Sequence, residues 1–194
     1  MAPPRSTEQP AVVLIGHGSP ANDCPPHLVG ELMSLEWREH RDAPGPHRLE
    51  GPAAALDAKI RDWPRHAGND PYKAGLERVA QALRRLLPTD LFAIGYNEFC
   101  RPSIAEALEQ VIRQGATRVL VIPSMLTPGG VHSEVDIPHA LEDVRRAHPD
   151  ILIEYLWPFD LHQVAVLLAS HVTRALQRSA ASHPAAGGAR TRND

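Results

Sequence analysis

The sequence predicts a parallel α/β domain, read as a four-stranded, three-layer flavodoxin-like unit, and three observations predict it. Four short runs are rich in β-branched residues: Ala11–Gly16, Leu91–Gly95, Arg118–Pro123 and Ile151–Leu156. Amphipathic helical patterns separate them, and this alternation specifies a parallel sheet with right-handed crossovers. The first and third runs are apolar nearly throughout, as strands covered on both faces must be.

Each element has its own signal. AVVLIG opens the sheet and ends on a glycine turn. In Tyr72–Leu87 the apolar positions Leu76, Val79, Ala80, Leu83, Leu86 and Leu87 follow the 3.6-residue period of a helix. LFAIG is the second strand. In Ser103–Gln114, Ile104, Leu108, Val111 and Ile112 form one stripe, with Ser103 and Glu106 spaced as a capping box and Gly115 as the stop. RVLVIP is the third strand, Ile137–Ala147 the next helix, ILIEYL the fourth strand and Leu161–Leu176 the last helix. One region breaks this rhythm. From about Asp23 to Pro71 the chain spends some 49 residues where a short loop and helix would serve. HLVGELMSLEWREHR and AAALDAKIRDW read as two helices parted by APGPHRLEGP, so the region is an insertion within a single domain over 11–179. Residues 1–10 and 180–194 are polar, small and rich in Pro and Gly, and are expected to be disordered.

Composition narrows the function. The 194 residues carry a formal charge of −3, with 43 % hydrophobic and 22 % charged residues. That suits one domain with an ordinary core and argues against nucleic acid, whose binding needs an excess of Lys and Arg. No apolar stretch approaches the ~20 residues that span a bilayer, so no membrane partner is expected. MAPPRSTEQP lacks the apolar core of a secretory signal, and the expected location is cytoplasmic. Two cysteines, Cys24 and Cys100, fit neither a disulfide framework nor a zinc ribbon.

Ligands of open parallel sheets bind outside the carboxyl ends of the strands. After the first strand comes Gly16-His17-Gly18-Ser19; after the second, Tyr96-Asn97-Glu98-Phe99-Cys100-Arg101; after the third, a loop containing Gly129-Gly130-Val131-His132-Ser133-Glu134. Topology alone therefore brings His17, His132 and Glu98 to one edge. Two imidazoles and a carboxylate suit a borderline divalent ion and leave coordination positions open. The glycines around His17 permit a tight turn, and Gly129-Gly130 would let the second loop move. Each residue also has a plainer reading. Either histidine can be a hydrogen-bonded loop residue, and Glu98 an ion-pair partner of Arg101. Glu134 is expected to face solvent or the following helix start. Asp136, ahead of Ile137-Pro138, is expected to be a helix N-cap, with orientation of His132 as the alternative. Glu106 is expected to be only the capping-box carboxylate.

Other signatures fail. There is no GxGxxG, Walker-type loop or GxSxG, and Ser19 two residues from His17 is poor geometry for a nucleophile and its base. Cys100 beside Arg101 suggests a lowered thiol pKa, with no positioned base to use it.

Taken in order, VVLIGHGSP and GYNEFCRPSIAEALEQVIRQGATRVLVIPSMLTPGGVHSEVDIPHAL resemble the sirohydrochlorin cobaltochelatase (CbiX-type) family of class II chelatases. The specific part is E-x-x-x-P-S-I-x-E-A-L, then G-A-x-R-V, a core strand, and G-x-H-x-x-x-D-I-P. The resemblance covers about residues 11–20 and 72–160. It implies a lyase that inserts Co²⁺, in some members Fe²⁺ or Ni²⁺, into sirohydrochlorin on the way to cobalamin, siroheme or related tetrapyrroles, without an organic cofactor. It implies His17, Glu98 and His132 as metal-contacting and catalytic residues, and a homodimer, since short members of the family pair to build the cleft. Sirohydrochlorin is rich in carboxylates, which makes Arg101 the candidate substrate-binding arginine, beside Gly18 and Ser19 of the GHGS turn; the alternative for Arg101 is an ion pair with Glu98 or Glu106. The Asp23–Pro71 insertion departs from the short family pattern and is expected to form a lid, an added dimer surface or a block on the cleft. The competing function is a non-catalytic divalent-metal carrier on the same scaffold.

Overall fold

The computed structural model describes residues 8–42 and 49–182; of the tails expected to be disordered, 1–10 and 180–194, residues 1–7 and 183–194 lie outside these, while Pro10 opens the first strand and the last helix runs to Ser182. Four parallel strands, β1 (Pro10–Gly16), β2 (Phe92–Tyr96), β3 (Arg118–Pro123) and β4 (Leu152–Tyr155), form one sheet in the order β2-β1-β3-β4. β1 pairs with β2 through Val12–Gly16 against Phe92–Tyr96, and with β3 through Pro10–Ile15 against Arg118–Pro123. The strand order reverses at β1, so loops leaving β1, β2 and β3 diverge around one crevice at the carboxyl edge.

The helices are α1 (Pro26–Asp42), α2 (Gly51–Arg61), α3 (Pro71–Arg84), α4 (Ile104–Arg113), α5 (Ile137–Ala147) and α6 (Leu161–Ser182). On one face of the sheet, Val13, Ile15, Val119, Val121 and Ile153 pack with Ile104, Leu108 and Val111 of α4 and Ile137, Leu141 and Val144 of α5. On the other, Leu76 and Ala80 of α3 pack with Leu14 and Tyr96. The capping box of α4 is present in both directions, Ser103 accepting from the Glu106 N–H and Glu106 from the Ser103 N–H. α3 stops at Arg84, short of the expected Leu87, because Pro88 disfavours helix before it; Val79 and Leu86, expected on its apolar face, are exposed.

The insertion supplies α1 and α2, which have a small core of their own: Ala21, Cys24, Leu28, Leu32 and Ile60, with Phe99 packed against it. Its two ends are tied together. Asp23 accepts from Trp63 Nε1 (3.1 Å) and Asn69 Nδ2 (3.0 Å), and the Asn22 N–H donates to the Asn69 carbonyl (2.7 Å). The chain thus leaves and re-enters the parent fold at one point.

Packing divides the chain into two units, one through Trp157 and one from Pro158 onward. Among the described residues the second carries α6, with apolar Leu161, Val166, Leu167, Leu168, Val172 and Leu176. No described helix is long and apolar enough to cross a membrane.

Cys100 reverses its expected chemistry. It is fully buried, and burial pushes its thiol pKa up, outweighing the lowering by the Ser19 carbonyl it meets and by Arg65. Cys24 is buried and shifted upward for the same first reason. Both thiols are therefore expected to resist a thiol-specific colorimetric reagent at pH 8 in the folded protein and to react together after denaturation. Rapid labelling of the native protein would contradict the packing described.

Candidate metal centre

The site is built from three loops at the carboxyl edge of the sheet. His17 follows β1 directly, in a turn that only glycine can complete: Gly18 has φ +94°, and a Cβ there would lie 1.9 Å from the Glu98 carbonyl oxygen. This close approach lets the His17 loop lie against the Glu98 turn, joined by the Glu98 N–H donating to the His17 carbonyl (2.8 Å) and the Asn97 N–H to the Gly16 carbonyl (2.9 Å). Gly18→Ala is expected to cost about 2 kcal/mol or more through collision and left-handed strain together; urea unfolding measures it, and an unchanged midpoint would refute the close approach.

The third ligand arrives on an unusual turn. His132–Asp136 forms a single π-helical turn that runs into α5, a local form frequent at functional sites. This corrects the expected role of Asp136. Its backbone is already helical and its side chain caps nothing; instead its carboxylate accepts from His132 Nδ1 at 2.6 Å. Asn97 Nδ2 lies 2.9 Å from His132 Nδ1 and 3.4 Å from the same oxygen; of these neighbours only the carboxylate can accept the Nδ1 proton. The two residues stand four apart, a spacing that places them on one helical face.

Both ring tautomers follow from these bonds. His132 Nδ1–H donates to Asp136, and His17 Nδ1–H donates to the Gly18 carbonyl (2.8 Å). Each ring therefore presents a free Nε2 lone pair to the same space. His17 Nε2 lies 4.0 Å from one Glu98 oxygen and His132 Nε2 3.7 Å from the other, with the rings perpendicular and their centres 4.5 Å apart. All three ligand atoms fall within 4.8 Å of one another. Two ligands each about 2.1 Å from a shared ion are at most about 4.2 Å apart, so the set needs to close by less than about an ångström. Among the described residues this is the one group of His, Cys, Asp and Glu placed to share an ion. Its side chains are 28–39 % exposed, so the group is open to solvent.

The surrounding residues fix the frame. Tyr72 Oη accepts from the His17 N–H (2.8 Å), and Tyr155 Oη donates to the Ser133 carbonyl (3.1 Å) in the His132 turn. Burial, reinforced by Glu134, pushes the Tyr155 phenol up to about 12. Glu134, expected at solvent or a helix start, accepts from the Gly129 N–H (3.1 Å) and from Trp157 Nε1 (3.2 Å), pinning the glycine pair ahead of His132. Glu98 does not pair with Arg101. Arg101 engages Asp62 (2.5 Å) and Glu106, and the hydrogen bond it donates to Asp62 is the first cause that holds its pKa above the ordinary value. Ser19 Oγ donates to the Pro20 carbonyl (3.3 Å). His66 accepts from the Gly68 N–H, and His148 pairs with Glu109 (2.6 Å), both remote structural contacts.

Replacing Asp136 by Ala removes the bond that fixes the His132 tautomer. Affinity for Co²⁺ is expected to fall about 10- to 100-fold, the usual effect of losing such a supporting partner. Titration of the folded variant with Co²⁺ measures it, and unchanged affinity would show that His132 needs no orienting carboxylate.

Glu98 and His132 fall within a stretch that matches a known family. The CbiX family model matches residues 68–178, more than half of the chain. The chain belongs to the CbiX family. A sirohydrochlorin cobaltochelatase of Priestia megaterium is 29 % identical over 101 residues, covering 52 % of this chain and 33 % of that protein. A sirohydrochlorin ferrochelatase of the same organism is 28 % identical over 96 residues, covering 50 % and 34 %. The chain thus spans about a third of the length of these two relatives. A solved CbiX protein from Marinobacter aquaeolei VT8 shares the fold with a TM-score of 0.51 at 18 % identity, over 87 % of this chain and 98 % of that one.

Proposed function

We propose that this protein is a metal chelatase that inserts a divalent ion into sirohydrochlorin, with Co²⁺ as the foremost ion and Fe²⁺ or Ni²⁺ as alternatives, in cobalamin- or siroheme-type biosynthesis. The observation that carries the reading is the convergence of His17, Glu98 and His132 at one sheet edge, with one ligand atom from each within 4.8 Å of the others. Family membership supports it, as do relatives named for cobalt and for iron insertion.

Insertion exchanges one divalent ion for two protons of the pyrrole nitrogens, so charge balances. His17, Glu98 and His132 hold the incoming ion on one side, leaving its other positions for water and then for the macrocycle. An open three-ligand set releases its ion more readily than a closed tetrahedral cage. As the ion moves to the ring nitrogens, the vacated Nε2 lone pairs and the Glu98 carboxylate become acceptors for the leaving protons. Asp136 then stabilises the positive charge on His132. Gly18 and Ser19 line the His17 turn against the substrate. Arg101 binds a substrate carboxylate by exchanging Asp62 or Glu106 for it. The location in this reading is cytoplasmic and residues 11–179 act as one functional domain. A homodimer belongs to the same reading.

The test is an anaerobic absorbance assay with sirohydrochlorin and Co²⁺, Fe²⁺ or Ni²⁺ against the spontaneous rate. Acceleration by the wild type is the expected result, and the ion most accelerated assigns the physiological metal. No acceleration by folded protein that still binds an ion would overturn the chelatase and mark a carrier.

A further inference from the structure

We infer that Arg61 and Arg65, both carried by the inserted segment, are positioning residues that hold the Glu98 turn and the His17 loop in register for metal binding. The inference rests on the metal-site reading above and gives the insertion a role other than lid, dimer surface or block.

The turn after β2 needs an external hold. Phe99 has φ +57°, a left-handed conformation that is unfavourable for a residue with a bulky side chain. The turn is also tight, the Cys100 N–H donating to the Glu98 carbonyl at 2.6 Å. The other carbonyls of Asn97–Cys100 all go to the two arginines. Arg61 donates from Nη2 to the Asn97 carbonyl (2.8 Å) and from Nη1 to the Cys100 carbonyl (3.0 Å), while its Nε donates to Asp57 (2.6 Å). Arg65 donates from Nη2 to the Phe99 carbonyl. Its Nη1 donates to the Ser19 carbonyl (2.8 Å), two residues beyond His17, and to Asp70. One guanidinium therefore touches both ligand-bearing loops.

Burial makes these bonds strong. The Arg65 side chain is 8 % exposed and that of Asp70 1 %, and charged hydrogen bonds out of water are about twice as strong as neutral ones. The Phe99 ring adds an apolar anchor in the small core between α1 and α2. A planar fork is what the arrangement demands, since donors must diverge to two carbonyls at once; a lysine ammonium lacks that fixed geometry. Neither arginine contacts a ligand atom of the centre, so each acts through the backbone. Both also lie outside residues 68–178, the part matched to the family.

The test is Co²⁺ binding by calorimetry, with the visible d–d absorption of the bound ion, on the wild type, Arg61→Ala, Arg61→Lys and Arg145→Ala. Arg145 is the control: it too donates from two nitrogens to a backbone carbonyl, that of Ile153, at the β4 strand. Arg61→Ala is expected to weaken Co²⁺ binding about 10- to 100-fold and to change the d–d band intensity. Arg61→Lys is expected to give a smaller loss, and Arg145→Ala none. Arg61→Lys keeps the charge, and carries the test should the alanine variant fail to fold. Folded Arg61 variants with wild-type affinity and spectrum would overturn the inference, as would an equal loss in Arg145→Ala. A wild type with no Co²⁺ affinity would instead overturn the metal centre itself, and the arginines' role with it.

Discussion

His17→Ala and His132→Ala are each expected to lose Co²⁺ affinity by about 100-fold or more, and with it all acceleration of metal insertion. The magnitude follows from the ligand count. With three protein ligands on an open site, removing one leaves a pair that surface side chains offer in many places, and the remaining carboxylate discriminates poorly among ions. The loss exceeds that of Asp136→Ala, which leaves the Nε2 lone pair in place. The two histidines also enter on different strands, after β1 and β3, so neither can move to replace the other. Calorimetry with Co²⁺ and the anaerobic assay measure both effects. A variant that keeps wild-type affinity would remove that histidine from the site.

Asp70→Ala is expected to cost about 3–5 kcal/mol of stability. Removing one partner of a buried pair leaves the other charge unpaired out of water. Asp70 is 1 % exposed and faces Arg65, itself 8 % exposed. The same carboxylate caps α3 by accepting from the Lys73 N–H (2.8 Å) and accepts from the Cys100 thiol (3.5 Å). For a domain of this size each kcal/mol is worth roughly 2–4 °C, so the melting temperature should fall by about 6–20 °C. A fall within about 2 °C would show that Arg65 finds other partners or water.

The parts of this structure that were legible in the sequence depend on local pattern. Runs such as AVVLIG and RVLVIP are strands because only a sheet covered on both faces buries them, and β1 and β3 lie where those runs do. Once the strands alternate with helices, their carboxyl ends share an edge, and His17, Glu98 and His132 meet there. What was hidden is long-range or tautomer-dependent. Asp136 has the sequence pattern of a cap because it precedes a helix with proline at its start; the π-helical turn that ends on it makes that position interior. Its i+4 spacing from His132 was the available signal. Asn97 lay in plain view after β2, but nothing local pairs an amide there with a carboxylate 39 residues on. For Arg61 and Arg65 only the nearby carboxylates Asp57 and Asp70 leave a local sign; the backbone carbonyls they hold lie 34 to 46 residues away. Cys100 misled through its neighbour: the Arg101 guanidinium is drawn to Asp62 and Glu106, and burial decides the thiol.

The most direct test of the central claim is X-ray absorption at the cobalt edge on protein loaded with one equivalent of Co²⁺. The account predicts scattering from two imidazoles and at least one carboxylate oxygen at about 2.0–2.2 Å, with one imidazole lost in either His17→Ala or His132→Ala. A spectrum of oxygen ligands alone, the same in wild type and both variants, would contradict it.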